Sequence, residues 1–125
     1  MPIDKTDVER FFNDYAEALS SHDANHIARH WGVPALVLGD QGAIAVNKPE
    51  EVVAFFAASM EQYADVAKAR AGIRSAIALS ASSIACEIEW EHLDQGGEVV
   101  GSEAGHYILS RDEDAVKIHV YTPKL

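Results

Sequence analysis

An α+β domain with its layers segregated along the chain, helices first and a mostly antiparallel sheet after them, is predicted by two observations. Between Thr6 and Tyr63 apolar side chains recur chiefly at three- and four-residue steps, the helical period. From Arg70 onward the period drops to two, the signature of strands with one face buried.

Thr6 followed three residues later by Glu9 is a capping-box pattern, so the first helix is expected to start there. Val8, Phe11, Phe12, Tyr15 and Leu19 give it one apolar face through Ser20. Asp23 is a good N-cap for a short second helix in which Ala24, Ile27 and Trp31 share a face, and Gly32 and Pro34 end it. Ala35 to Leu38 and Ala43 to Val46 read as the arms of a small hairpin around the turn cluster Gly39-Asp40-Gln41-Gly42. Pro49, Glu50 and Glu51 open a third helix: proline supplies a helical φ, and the carboxylates favour the positive end of the helix dipole. Val52, Phe55, Phe56, Ser59, Met60 and Tyr63 keep its period.

Four long strands follow. Ile73, Ser75, Ile77 and Leu79 alternate along one, and Ile84, Cys86, Ile88, Trp90 and His92 along the next, with Glu87, Glu89 and Glu91 on the opposite face. Asp94-Gln95-Gly96-Gly97 turns into a strand from Val99 to Ser110; Arg111 to Asp114 turns again, and Val116 to Thr122 is the last strand. Gly72, Gly101 and Gly105 fall inside strands, where glycine marks a bend, a bulge or a close approach.

Composition narrows the function classes. The 125 residues suit one domain over 1–125, with 48% hydrophobic and 24% charged residues. Twenty acidic against ten basic residues give a net charge of −10, which argues against nucleic acid and anionic membrane as partners. A single cysteine, Cys86, forms no internal disulfide and no zinc cluster, and on its apolar row it reads as a small core residue. Met1 to Lys5 lack the basic start and apolar run of a signal peptide, and no apolar stretch approaches the ~20 residues of a membrane span. A cytoplasmic location is therefore expected.

The order of these elements and several local runs resemble the nuclear transport factor two-like superfamily, in its SnoaL-like or ketosteroid-isomerase-like branch. Tyr15 to Asp23 is similar to the family's first-helix ending, and Trp31 stands where it has an aromatic before its first strand. Lys48 to Phe56 is similar to its third-helix opening. Trp90 before the Gly96-Gly97 turn, His106 to Arg111 and Val116 to His119 are similar to its closing strands. The resemblance covers nearly the whole chain. It implies a cone, with three helices packed on a strongly curved, mostly antiparallel sheet that encloses a pocket, and a homodimer through the outer sheet face.

The same resemblance implies site residues. A first-helix tyrosine that donates a hydrogen bond to a developing oxyanion corresponds to Tyr15. The family's strand-one aspartate aligns near Gly39, with Asp40 one residue late, a shift that reverses side-chain direction in a strand. The second oxyanion acid aligns with Gly105, and Glu103, two residues earlier, shares that face. A carboxylic acid in an apolar cone would titrate high and serve as acid or base near neutral pH. Tyr15, Glu103 and Asp40 are thus the candidate catalytic residues, and Glu103, His92 and Asp40 the ionisable groups expected on inner rows. Phe12, Trp31, Phe56, Met60, Trp90, Tyr107 and Ile118 are expected to wall the pocket, although the same stripe also fits a filled core.

No motif asks for a cofactor: nucleophile-elbow, P-loop and dinucleotide glycine patterns are absent from the sequence. His22, His26 and His30 recur every four residues, but His22 precedes the Asp23 cap and no third ligand converges, so they read as a solvated face and no metal site is expected. His106 and His119 lie opposite the Tyr107 and Ile118 rows and are expected to point outward. Two functions follow. The first is a pocket protein for a small hydrophobic, oxygenated compound, of isomerase, dehydratase or cyclase type. The alternative is a non-catalytic dimeric module for ligand binding or protein association.

Overall fold

The computed structural model describes residues 2–40 and 42–124, with Gln62 described by its backbone alone. Helix α1 (Lys5–Ser20) buries Val8, Phe11, Phe12, Tyr15 and Ala18 along one stripe. Its capping box is not Thr6–Glu9. Asp4, two residues earlier and in extended backbone, accepts from the Asp7 N–H at 2.8 Å, while Asp7 accepts from the Asp4 N–H at 3.0 Å. Aspartate's short carboxylate reaches the orphan amide as well as a threonine hydroxyl does, so the helix starts one residue before Thr6. That backbone bond holds the Asp7 carboxyl below its usual range.

Helix α2 (Ala24–Ala28) is capped by Asp23, which accepts from the Asn25 and His26 N–H groups. Trp31 does not continue this helix but opens strand β1 (Trp31–Gly39), so Gly32 and Pro34 sit inside a strand and not in a terminating loop. Gly32 is required there because the His119 ring lies where a Cβ would be. Strand β2 (Gly42–Val46) closes the hairpin on β1; Gln41, in the predicted turn, lies outside the described residues. Helix α3 (Pro49–Ser59) starts with Pro49 in its first turn, and Glu51 Oε1 accepts from the Asn47 N–H at 3.0 Å. It ends in a 3₁₀ turn, Met60–Tyr63.

Strands β3 (Lys68–Ala78), β4 (Ser83–Leu93), β5 (Val99–Asp112) and β6 (Ala115–Pro123) complete one six-stranded sheet in the order β2-β1-β6-β5-β4-β3. All neighbours are antiparallel except β1 and β6. Register shifts interrupt the β1–β6, β3–β4, β4–β5 and β5–β6 ladders, each consistent with a bulge that bends its strand. The three helices and this curved sheet form the α+β cone that the resemblance implies. No helix among the described residues is long and apolar enough to cross a membrane.

The inner face carries the predicted β4 row: Ile84, Cys86, Ile88 and Trp90 are buried, beside Tyr107 and Leu109 of β5 and Ile118 of β6. Strand β3 departs from prediction. The shift between Ile73 and Ser75 changes its parity, so Ala76 turns inward while Ile77 is 62% exposed, and Leu79 lies beyond the strand. On the outer face, Glu87, Glu89 and Glu91 are not an unpaired acidic row. Arg74 binds Glu89, Arg70 binds Glu91 at 2.6 Å, and Lys124 binds Glu87 at 2.6 Å with His106 at 3.5 Å. Pairs this exposed contribute little stability. His119 does not stand free on that face: its Nδ1 lies 2.7 Å from the Pro34 carbonyl and its Nε2 2.9 Å from Asp112.

Core parity makes a direct prediction. Leu109→Ala and Ile118→Ala, at fully buried positions, should each cost about 2–5 kcal/mol in urea unfolding. Ile77→Ala should cost no more than about 0.5 kcal/mol; a cost as large as the other two would mean that β3 keeps its parity without a bulge.

Candidate functional site

Between α1, α3 and the concave face of β4, β5 and β6 lies a cavity of about 440 Å³. Its inner end is aromatic. Tyr15 reaches it from α1, Trp31 from the start of β1, Trp90 from β4 and Tyr107 from β5, all buried. Two sequence-distant pairs organise them. The Trp31 indole N–H donates to the Tyr15 hydroxyl at 3.0 Å, and the Trp90 indole N–H donates to the Tyr107 hydroxyl at 3.0 Å. Burial pushes both phenols well above their ordinary range, so they stay protonated.

The opposite end is polar and open to water. Glu103, on β5 directly across from Trp90, has a side chain 44% exposed. Its Oε1 accepts from the Tyr63 hydroxyl at 3.1 Å and lies 2.7 Å from His92 Nε2. A carboxylate only accepts, so Nε2 carries a proton, and the other ring nitrogen is Nδ1. That Nδ1 is buried with no hydrogen-bond partner among the described residues. The Tyr63 ring packs on His92 with centroids 5.4 Å apart. Burial first, and then the Glu103 charge, push the Tyr63 phenol up to about 12. Tyr121 is also raised, chiefly by burial and then by Glu103.

Helix and loop contacts hold the walls. Ser20 Oγ donates to the Ala16 carbonyl and accepts from the Ala69 N–H, tying the end of α1 to β3. His22, with φ +57°, places Nε2 2.6 Å from the Val66 carbonyl and lines the cavity through that tether. His30 is half-buried against Phe11 and Tyr15, and desolvation lowers its pKa. No group of metal-ligating side chains converges among the described residues.

Of the predicted catalytic residues, the structure brings Tyr15 and Glu103 to this cavity and leaves Asp40 out. Asp40 is exposed in the β1–β2 turn, at the far end of β1 from Trp31. Among the predicted wall residues, Trp31, Phe56, Met60, Trp90 and Tyr107 line the cavity. Phe12 and Ile118 do not. Phe12 packs behind the wall against Tyr15, Trp90 and Tyr107, and Ile118 is sealed in the core. Gly105, where the resemblance implies an acid, gives its space to an aromatic ring: a Cβ there would stand 2.7 Å from Tyr121 Cε1.

Sequence reasoning missed the roles of Tyr63 and Tyr121 and the bond between His92 and Glu103. Inner-row parity on β4 and β5 was the available signal for the last of these. Tyr63 is 40 residues from Glu103 in the chain and carried no such signal.

Helices covering a curved sheet around one aromatic pocket define a class, the NTF2-like pocket proteins. The profile described as NTF2-like protein (DUF6841) matches residues 4–124, and the chain belongs to that family. No curated protein matches it. Among solved structures, a domain of unknown function with a cystatin-like fold from Nostoc punctiforme is similar at TM-score 0.76 and 11% identity, covering 98% of this chain and 78% of that one. An NTF-2 like protein of unknown function from Shewanella oneidensis gives 0.71 at 13% identity over 94% and 96%. A ketosteroid isomerase-like protein from Erwinia carotovora atroseptica gives 0.67 at 15% identity over 93% and 91%. These similarities establish the fold.

Tyrosine titration checks the burial. All four tyrosines have raised folded-state pKa values, whereas an unfolded phenol titrates near 10. Above about pH 10 the unfolded chain therefore binds fewer protons than the native one, so stability is intact below that pH and falls as pH rises. For Tyr63 the loss should extend through about pH 12. Phenolate absorbance should appear late and together with unfolding. A full tyrosinate signal near pH 10 from a chain that keeps its native circular dichroism would contradict the burial.

Proposed function

We propose that this protein binds a small apolar, oxygenated compound in its cavity and catalyses proton transfer on it, as isomerases, dehydratases and cyclases of carbonyl compounds do. The observation that carries the reading is the hydrogen-bonded Glu103–His92 pair at the open end of an otherwise aromatic pocket. A carboxylate can remove a proton from carbon and return it, and the imidazole 2.7 Å away holds that carboxylate in place at the mouth of the pocket. At the inner end, Tyr15 is a protonated phenol fixed by the Trp31 N–H. It is suited to donate a hydrogen bond to an oxygen that gains negative charge in the transition state. Aromatic walls exclude water around that oxygen and strengthen the donation.

In this reading the substrate lies with its carbonyl toward Tyr15 and an acidic C–H toward Glu103. Glu103 takes the proton, and the electron pair moves from the C–H bond into an enolate whose oxygen faces the phenol. Reprotonation from Glu103 at another carbon isomerises the compound, whereas expulsion of a β-hydroxyl, which takes the Glu103 proton and departs as water, dehydrates it. The resemblance to isomerase-like proteins supports the same chemistry.

The test is hydrogen–deuterium exchange at the carbon beside the carbonyl of tetralone, a fused-ring ketone, followed by NMR in deuterium oxide. The native chain should accelerate exchange over buffer. Glu103→Gln should reduce the acceleration by about a hundredfold or more, and Tyr15→Phe should reduce it by about tenfold or more. Binding of tetralone with exchange no faster than buffer would favour the non-catalytic ligand-binding module instead.

A further inference from the structure

We infer that the inner end of the cavity selects its ligand by an acceptor-only oxygen, a carbonyl and not the corresponding alcohol, and that Trp31 and Trp90 set this preference through Tyr15 and Tyr107. The inference rests on the pocket reading above and names the ligand class it takes.

A phenol oxygen ordinarily gives and receives hydrogen bonds, so a buried tyrosine is an indifferent partner for a ketone or an alcohol. An indole N–H can only donate. Trp31 and Trp90 each place that N–H 3.0 Å from a phenol oxygen, which fixes the direction of both bonds with no tautomer to choose. The acceptor side of each tyrosine is thereby occupied. Among the described residues no protein group accepts the O–H of Tyr15 or Tyr107, and both side chains line the cavity. The nearest anionic acceptor along the sheet, Glu103, is already engaged by Tyr63 and His92. Two O–H donors on rings 6.5 Å apart are thus the uncommitted polar groups at this end.

A carbonyl oxygen has two lone pairs and no hydrogen, so it can accept from either phenol or from both and leaves no donor of its own unpaired. An alcohol oxygen can accept from them too, but its own hydrogen then faces buried aromatic surface, and a stranded buried donor is costly. Receiving a bond from indole also polarises each phenol O–H and strengthens what it donates.

The test uses three ligands of nearly one shape: methyl naphthyl ketone, its carbinol and ethylnaphthalene. Affinities come from calorimetry, and the carbonyl stretch of the bound ketone comes from infrared difference spectra. The ketone should bind about tenfold or more tighter than either analogue, with its stretch moved to lower wavenumber. Tyr107→Phe and Tyr15→Phe should each remove part of that shift and narrow the ketone-to-carbinol ratio. Trp90→Phe should narrow the ratio by returning an acceptor site to Tyr107. Equal affinities for the three ligands, or an unshifted stretch, would overturn the proposal while leaving a hydrophobic pocket in place. A ratio unchanged in Trp90→Phe would overturn the part given to the indoles. Failure of all three ligands to bind would remove the pocket reading and this inference with it.

Discussion

The packing of α1 into the concave face of the sheet is the constraint on which the remainder of this structure hangs, and Phe12 is its centre. That side chain is 1% exposed and meets Trp90, Tyr107 and Tyr15 edge-on, with Phe11 beside it. Edge-to-face contacts of this kind add about 0.5–1.5 kcal/mol each beyond the area they bury. A flat sheet offers no hollow for such a cluster. The bulges of β3, β5 and β6 bend the strands around it, and the helix in turn covers inner rows that would otherwise face water.

Phe12 also decides where solid core stops and cavity begins. One turn further along α1, Tyr15 stands on the same stripe, but its polar tip demands a partner. Trp31 supplies it from β1, as Trp90 does for Tyr107. These pairs hold the aromatic rings by their edges, at positions where purely apolar side chains would close inward upon one another. Gly105 acts on the same wall: its missing Cβ leaves room for Tyr121 to pack on Tyr107, with centroids 4.9 Å apart and the planes tilted by 40°. A side chain at Gly105 would collide with the Tyr121 ring and force it to shift.

Much of this was readable from the chain because it follows from periodicity. The β4 row from Ile84 to His92 and its opposed glutamates needed only alternation, and the helical stripes of α1 and α3 needed only the 3.6-residue repeat. What resisted reading depends on single local events. A bulge between Ile73 and Ser75 breaks parity; Gly72 beside it signals an irregularity, but not which residue is skipped. Asp4 competes with Thr6 for one orphan amide, and sequence gives both a claim. Trp31 satisfies the helical repeat of α2 and also starts a strand, which only its pairing with Ile118 of β6 resolves. Of the site, the inner rows carried the position of Glu103 through its parity with Tyr107. Its partners came from tertiary folding: Tyr63 arrives on a 3₁₀ turn after α3.

That arrival gives the cavity a direction. Phenol donors without an acceptor among the described residues lie at the inner end, where Tyr15 and Tyr107 are held by indoles; an acceptor lies at the rim, where Glu103 stands between Tyr63 and His92. A ligand that matches both ends must itself be polarised, with an electron-rich oxygen inward and an acidic hydrogen outward, and apolar surface between them against Phe56 and Met60. The unpartnered His92 Nδ1 sharpens the asymmetry. With Nε2 committed to Glu103, the buried Nδ1 has no hydrogen-bond partner among the described residues, and the ring offers its one bond to the rim carboxylate.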